Sequence, residues 1–287
     1  MKCYYLVIPQ IRVQTANMLN ASFLIGGPPV LTSFLFAHAL AREEEEGNTV
    51  RGIVLVHHQT TPLGQFFVTD SRNVTEQMRN SFGRFYPQQR RAASFTFGSK
   101  KRDYAKNSHS LSLQPVANTH MLLSLVIKSN GPMSPEKTEK FLYNGRFSGG
   151  QIISHGKPDP HDELKDAIKA IRSGYFVMDR KDLLEPRDGK NQAELMIEHL
   201  GRDGMQSAET GNAWLSAACL GYAGITNFAS RKGAREASLH AFVEPLVGLV
   251  QYQSVHSFKN NDVSLDQLVW RPQWDTTNNV YRIFQSQ

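Results

Sequence analysis

Residues 119–129, THMLLSLVIKS, form the most apolar run of the chain and predict a central strand. The segments on either side of it decide what that strand belongs to. Downstream, NGPMSP leads into a predicted helix over residues 134–142, with Ser134 as N-cap and Pro135 at the first helical position. Upstream, VRGIVLVHHQT (50–60) predicts a strong strand, and GQFFVTD (64–70) a hairpin partner for it. Before these, Thr32 to Arg42 predicts a helix entered through Gly26, Gly27, Pro28 and Pro29, with Leu31, Phe34, Leu35, His38 and Ala39 on its apolar face. The glutamates that follow it oppose the helix dipole and are expected to be frayed and solvated. Residues 3–8 predict a first strand, and residues 10–28 a long loop.

Beyond the central strand, NGRFSGG (144–150) predicts a glycine-rich loop leading into QIIS, HDELKDAIKAI a second amphipathic helix, and YFVMD a strand. Residues 181–206 are polar and predict a helix at QAELMIEHL. A last β-rich block runs through AWLSAACLGYAG, AFVEPLVGLVQYQS and NVYRIF. The order of elements predicts an α+β fold with a ferredoxin-like β-α-β-β-α-β core. Residues 1–180 hold its first part, with an insertion at about 72–110. Residues 181–210 form a short helical insertion, and 211–287 complete the core. Such a core hosts many functions, so function has to be argued from a site.

At 287 residues, 40% hydrophobic and 20% charged, the composition is that of a globular protein and excludes a disordered one. No run of eighteen apolar residues occurs, which argues against a membrane span. The opening MKCYYLVIPQIRV predicts a strand and no signal peptide, so a cytoplasmic location is expected. Cys3 and Cys219 stand among apolar neighbours and are expected to be buried free thiols.

Catalytic signals are sparse. His58 and Thr60 form one His-x-Thr pair, but phosphoesterases of that kind need a second copy. His155, Asp159, His161, Asp162 and Glu163 match no metal-ligand spacing, and neither a phosphate-binding loop nor a nucleophile elbow is present. No cofactor and no metal are expected.

The charge is another matter. Between Arg72 and Lys106 nine basic residues face two acids, a net +7 that exceeds the +6 of the whole chain. Arg84, Arg90, Arg91, Lys100, Lys101, Arg102 and Lys106 lie among six aromatic rings, Tyr104 included. Cations neutralise phosphates while aromatic faces accept bases, so this mixture suits single-stranded nucleic acid. ASFTF and SLSLQPV flank the stretch and predict an ordered hairpin. Phe95 and Phe97 alternate as core residues do. Three further places offer contacts: Arg12, Gln14 and Asn17 after the first strand; Arg146, Gly149 and Gly150, whose backbone N–H groups could approach phosphates; and Arg231, Lys232 and Arg235 in a second basic loop.

An ordered series of motifs carries a family resemblance. Pro9, Ile11, Gln14, Ala16 and Asn17 precede Gly27, Pro28 and a helix ending in His38-Ala39-Leu40. FSGGQIIS follows in the middle. Gly221, Tyr222, Arg235, Phe242, Val243, Glu244, Gly248, Leu249 and Trp270 stand at matching positions in the last third. This series resembles the Csy-type, Cas-five-like subunit of type I-F CRISPR surveillance complexes (Cascade), in the RAMP superfamily. The chain departs from that pattern at Gln10, at VQYQS and in a shorter helical region.

The resemblance implies a non-catalytic subunit with an RRM-like (RNA-recognition-like) core that caps the 5′ handle of the CRISPR RNA. It implies antiviral DNA targeting, with a basic thumb hairpin at the start of the guide–target duplex. The implied partners are CRISPR RNA, the target DNA strand, Cas-seven-like backbone subunits and, where present, a large subunit; a membrane is not among them. On this basis Arg12, Gln14 and Asn17 face the handle, and Lys100, Lys101, Arg102 and Lys106 lie on phosphates. Two alternatives stay open from the residues: a repeated guide-coating backbone subunit, and a metal-independent endoribonuclease using His57 or His58.

Overall fold

Ile11, Val13 and Ala16 are buried, whereas Arg12, Gln14 and Thr15 between them are exposed, so the region expected to be a loop continues the first strand. The computed structural model describes residues 3–21, 24–44, 47–63, 118–200, 213–232, 239–259 and 264–286. In chain order they form β1 (Tyr4–Asn17), β2 (Leu19–Ala21), β3 (Leu24–Ile25), α1 (Val30–Arg42), β4 (Val50–Leu63), β5 (Asn118–Ser129), α2 (Pro135–Asn144), β6 (Arg146–Phe147), β7 (Gly150–Ser154), β8 (Asp159–His161), α3 (Leu164–Ala170) and β9 (Tyr175–Asp179). A 3-10 turn (Lys181–Leu184) follows, then α4 (Gln192–Leu200), β10 (Leu215–Gly224), β11 (Val243–Ser254), α5 (Val255–Lys259), a second 3-10 turn (Leu265–Leu268), β12 (Trp270–Asp275) and β13 (Val280–Gln285). The fold is α+β and dominated by sheet. No helix among the described residues is long and apolar enough to cross a membrane.

Strands β7, β1, β5 and β4 lie side by side and antiparallel, with α1 joining β1 to β4 and α2 lying between β5 and β7 in the chain. β5 is central, as its composition predicts. β4 carries β5 along one edge. On the other it carries β12 at Ile53 and β9 at Val56 and His57. From β9 the sheet continues through β11, β10 and β13 to β12, so the path returns to β4 as a closed ring. Trp270 plugs it, fully buried, donating its Nε1–H to the carbonyl of Val177 at 2.9 Å. Strand β12, which the sequence reading did not single out, supplies this closure.

One face of the β7-β1-β5-β4 sheet packs on α1, through Val30, Leu31, Phe34, Ala37 and Leu40. Each of the valine, leucine and phenylalanine side chains contributes about 2 kcal/mol when buried. Leu35 is 47% exposed and Ala39 is exposed too, so the buried stripe is rotated from the expected one. The helix begins at Val30 with Pro29 before it, and Gly27 is required there: its φ is +77°, and a Cβ would strike the carbonyl oxygen of Ala217 on β10. Ser134 caps α2 as predicted, accepting from the Lys137 N–H at 3.3 Å. Glu44, expected to be solvated, is instead buried at its side chain. It accepts the Ser134 N–H at 3.0 Å, a carboxylate placed at a helix N-terminus.

The sheet's other face changes character along its length. Val7, Val54, Val56 and Val126 are covered by Ile168 and Ile171 around α3, by Phe176, and by Phe258 of α5. Past Ser124 no described residue covers it. Cys219 is buried and Cys3 half-buried, and both are free thiols. The residues 64–117, with the expected hairpins and all the basic residues between Arg72 and Lys106, lie outside the described residues, as does Arg235.

Candidate nucleic-acid interface

Among the described residues, the half of that face without cover is a shallow cleft lined by Arg12, Gln14, Gln59, Thr61, His120, Leu122 and Ile153. Cross-strand pairing explains the gathering. Arg12 stands opposite Leu122, and Leu122 opposite Gln59; Thr61 stands opposite His120; Gln14 pairs with Gln151, and Gln151 with Arg146. Of the residues singled out from sequence, Arg12, Gln14 and Arg146 therefore come together on one surface, exposed. No acid is among the described residues that line the cleft.

Three irregularities aim these side chains. β1 and β4 both slip register beside β5, at Ile8/Ile11 and at His57/Gln59. Gln10 takes φ +52°, and its N–H is caught by the Ser124 hydroxyl at 2.8 Å, while His58 Nε2 meets the same oxygen at 2.7 Å. One buried hydroxyl thus ties both bulges to the central strand. A second bulge at Thr15, φ +57°, gives its N–H to His120 Nδ1 at 3.2 Å. That bond leaves the ring proton on Nε2, so His120 offers a donor from the floor of the cleft. Arg12 supplies charge, Gln14 and Gln59 supply amides, and Leu122 and Ile153 supply apolar contact. Such a surface can take a nucleotide's phosphate and base edge together.

Not every expected residue joins it. Asn17 is exposed, but its side-chain oxygen accepts the Leu19 N–H at 2.8 Å and its N–H bonds the Ser148 carbonyl, so it turns the chain at the end of β1. Ser148 and Gly149 both have positive φ and make the tight β6–β7 hairpin where a glycine-rich loop was expected. Gly150 is buried against β1: a Cβ would lie 2.6 Å from Gln14 O and Ala16 N. Its glycine serves packing, whatever its N–H meets. Arg231 is half-buried, with its guanidinium 4.6 Å above the Phe242 ring and bonded to Thr226 Oγ1 at 3.1 Å, so that group holds its own loop. Lys232 is exposed.

The His58–Thr60 pair does not assemble either. Thr60 Oγ1 approaches His57 Nε2 at 3.5 Å instead, because the bulge turns His58 to the opposite face. Burial pushes the His57 imidazole down to about 4, helped by neighbouring His58, and its ring lies 5.1 Å from that of Tyr252. Burial lowers His58 as well.

Sequence reading missed Gln59, Thr61, His120 and Gln151. A signal was present in β4, where the apolar IVLV gives way in mid-strand to HHQTT, marking the point past which no described residue covers one face.

A family model described as CRISPR-associated protein (Cas_Csy2) matches residues 6–283 of the chain. A comparison with curated proteins finds no match.

Proposed function

Because this chain belongs to the Cas_Csy2 family of CRISPR-associated proteins, and is thereby a type I-F Cascade subunit, we propose that it binds the 5′ handle of the CRISPR RNA without cutting it. The observation that carries the reading is the half of the sheet face that no described residue covers, where Arg12, Gln14 and His120 line a cleft and Arg146 stands on the same side, while the rest of that face is packed under α3 and α5. The strand order β7-β1-β5-β4, with α1 and α2 as the intervening helices, supports a ferredoxin-like, RRM-like core. In such a core the open sheet is the RNA platform. The cationic stretch between Arg72 and Lys106 joins the paired ends of β4 and β5, where Leu63 stands opposite Asn118, next to Thr61 and His120. A handle on the sheet would then pass directly to that cationic stretch, with backbone subunits, target strand and any large subunit arranged beyond.

A non-catalytic role is favoured by the engagement of the two adjacent histidines. His58 is held by Ser124, and His57 is half-buried against Tyr252.

The test is binding and integrity of repeat-derived RNA. The double variant Arg12→Glu/Arg146→Glu is expected to weaken handle binding about 100-fold, a loss of roughly two charge-assisted contacts. The double variant His57→Ala/His58→Ala should leave the RNA uncut, as the wild type does. Specific cleavage by wild type that this second variant abolishes would overturn the non-catalytic reading. Unchanged affinity in the first variant would remove the sheet face from the site.

A further inference from the structure

Along β12 the inward face runs from Trp270, fully buried, to Trp274, 50% exposed; along β13 it runs from buried Ile283 to half-buried Tyr281. The ring's apolar lining therefore continues past the side chains that fill it. Tyr281 stands opposite both Trp274 and Tyr222, which makes an aromatic row across β12, β13 and β10. The loop after β10 extends the row outward. Phe228 lies 6.1 Å from Trp274, and Ile225 and Phe242 are joined backbone to backbone at 2.8 Å. Tyr222, Ile225, Phe228, Phe242, Val243 and Trp274 are between 38% and 63% exposed.

At about 100 Å² each, these six side chains present on the order of 600 Å² of apolar surface, at the top of the range for a soluble monomer and most of the roughly 800 Å² that one partner contributes to a standard interface. Charge says what kind of partner fits. Among the described residues the rim is mixed, with Lys232, Arg282 and Glu244 exposed around the aromatics, and the Arg231 guanidinium beside them is committed to Phe242 and Thr226. A nucleic-acid platform needs a surplus of free cations among its rings. An aromatic and aliphatic centre inside a polar rim of both signs is the composition of a protein interface.

Resting on the reading of this chain as a Cascade subunit, we infer that the mouth of the β-ring is the surface through which it docks on another protein subunit of the same complex. That subunit inserts an apolar segment over Trp274 and Phe242. The surface is separate from the RNA face, which lies on the β7-β1-β5-β4 sheet.

Coexpression of all subunits with CRISPR RNA, and recovery through a tag on a sister subunit, tests this. Trp274→Ser/Phe242→Ser is expected to reduce recovery of the chain at least tenfold, and so is Ile225→Asp, which lies in the loop away from the ring's core. Tyr143→Ser, at an 85% exposed site on α2, is the control and should be recovered as wild type. The isolated variants should keep handle affinity and melting temperature close to wild type. Wild-type recovery of both patch variants overturns the inference. So does a wild-type chain that sediments alone as a dimer dissolved by the same substitutions, or a patch variant that is folded yet loses handle RNA. Failure of the wild-type chain itself to join the complex would sink the Cascade role, an outcome distinct from failure of the patch alone.

Discussion

Ser124 decides more of the site than any charged residue does. It is buried, yet its hydroxyl holds the Gln10 N–H and His58 Nε2, so a polar atom inside the sheet joins three strands at the level past which no described residue covers them. Sequence marked His57 and His58 as candidates for acid–base work; in the structure His58 bonds Ser124 and His57 lies against Tyr252. Their titration has a consequence for stability. Burial depresses His57 from its ordinary 6.5 to about 4, so the folded state favours the neutral ring. The unfolded chain then binds the extra proton between those values, and stability that is whole above pH 6.5 is lost as pH falls toward 4, by no more than about 3 kcal/mol. His57→Phe keeps a ring against Tyr252 and removes the proton site. The drop in melting temperature between pH 7 and pH 4.5 should be smaller in that variant than in wild type. An equal drop would mean that His57 does not couple folding to pH.

At the scale of elements, β1 shows why a loop was expected where a strand occurs. Pro9 and Gln10 interrupt the pattern, and residues 10–28 carry many polar side chains, yet Ile11, Val13 and Ala16 restore alternation once the bulge is allowed for. The bulge is stabilised by a partner 114 residues away, which no local pattern contains. The ring closes in the same long-range way. Gln285, 3% exposed, accepts the Asp179 N–H at 2.7 Å and donates to the carbonyls of Val177 and Leu268 at 3.1 and 2.9 Å. Replacing it by leucine fills similar volume but leaves the Asp179 N–H and the Leu268 carbonyl without this partner. Gln285→Leu should lower unfolding free energy by about 2–4 kcal/mol, read by urea denaturation. A loss within error would show that β9 and β13 are each held by pairing with their own neighbours alone.

Across the whole molecule, RNA affinity should report charge placement. For single strands the logarithm of the binding constant falls with the logarithm of salt at about 0.7 per neutralised phosphate. Arg12→Ala should therefore flatten that slope by about 0.7, whereas Gln14→Ala should lower affinity with the slope unchanged. A salt titration of both variants separates a phosphate contact from a base contact. The net +7 of residues 72–106, the strands at 50–60 and 119–129, the Ser134 cap and the family itself were all legible in the sequence. Each is a local feature: periodicity, a capping residue, a count of charges, or an ordered series of motifs along one chain. Tertiary structure alone decided that Arg12, Gln14 and Arg146 share a face with His120 and Gln59, that His58 belongs to Ser124 and not to Thr60, and that the apolar lining of the ring runs on to Trp274. These depend on strand register and on bulges between segments far apart in sequence, where a shift of one residue moves a side chain to the other side of the sheet.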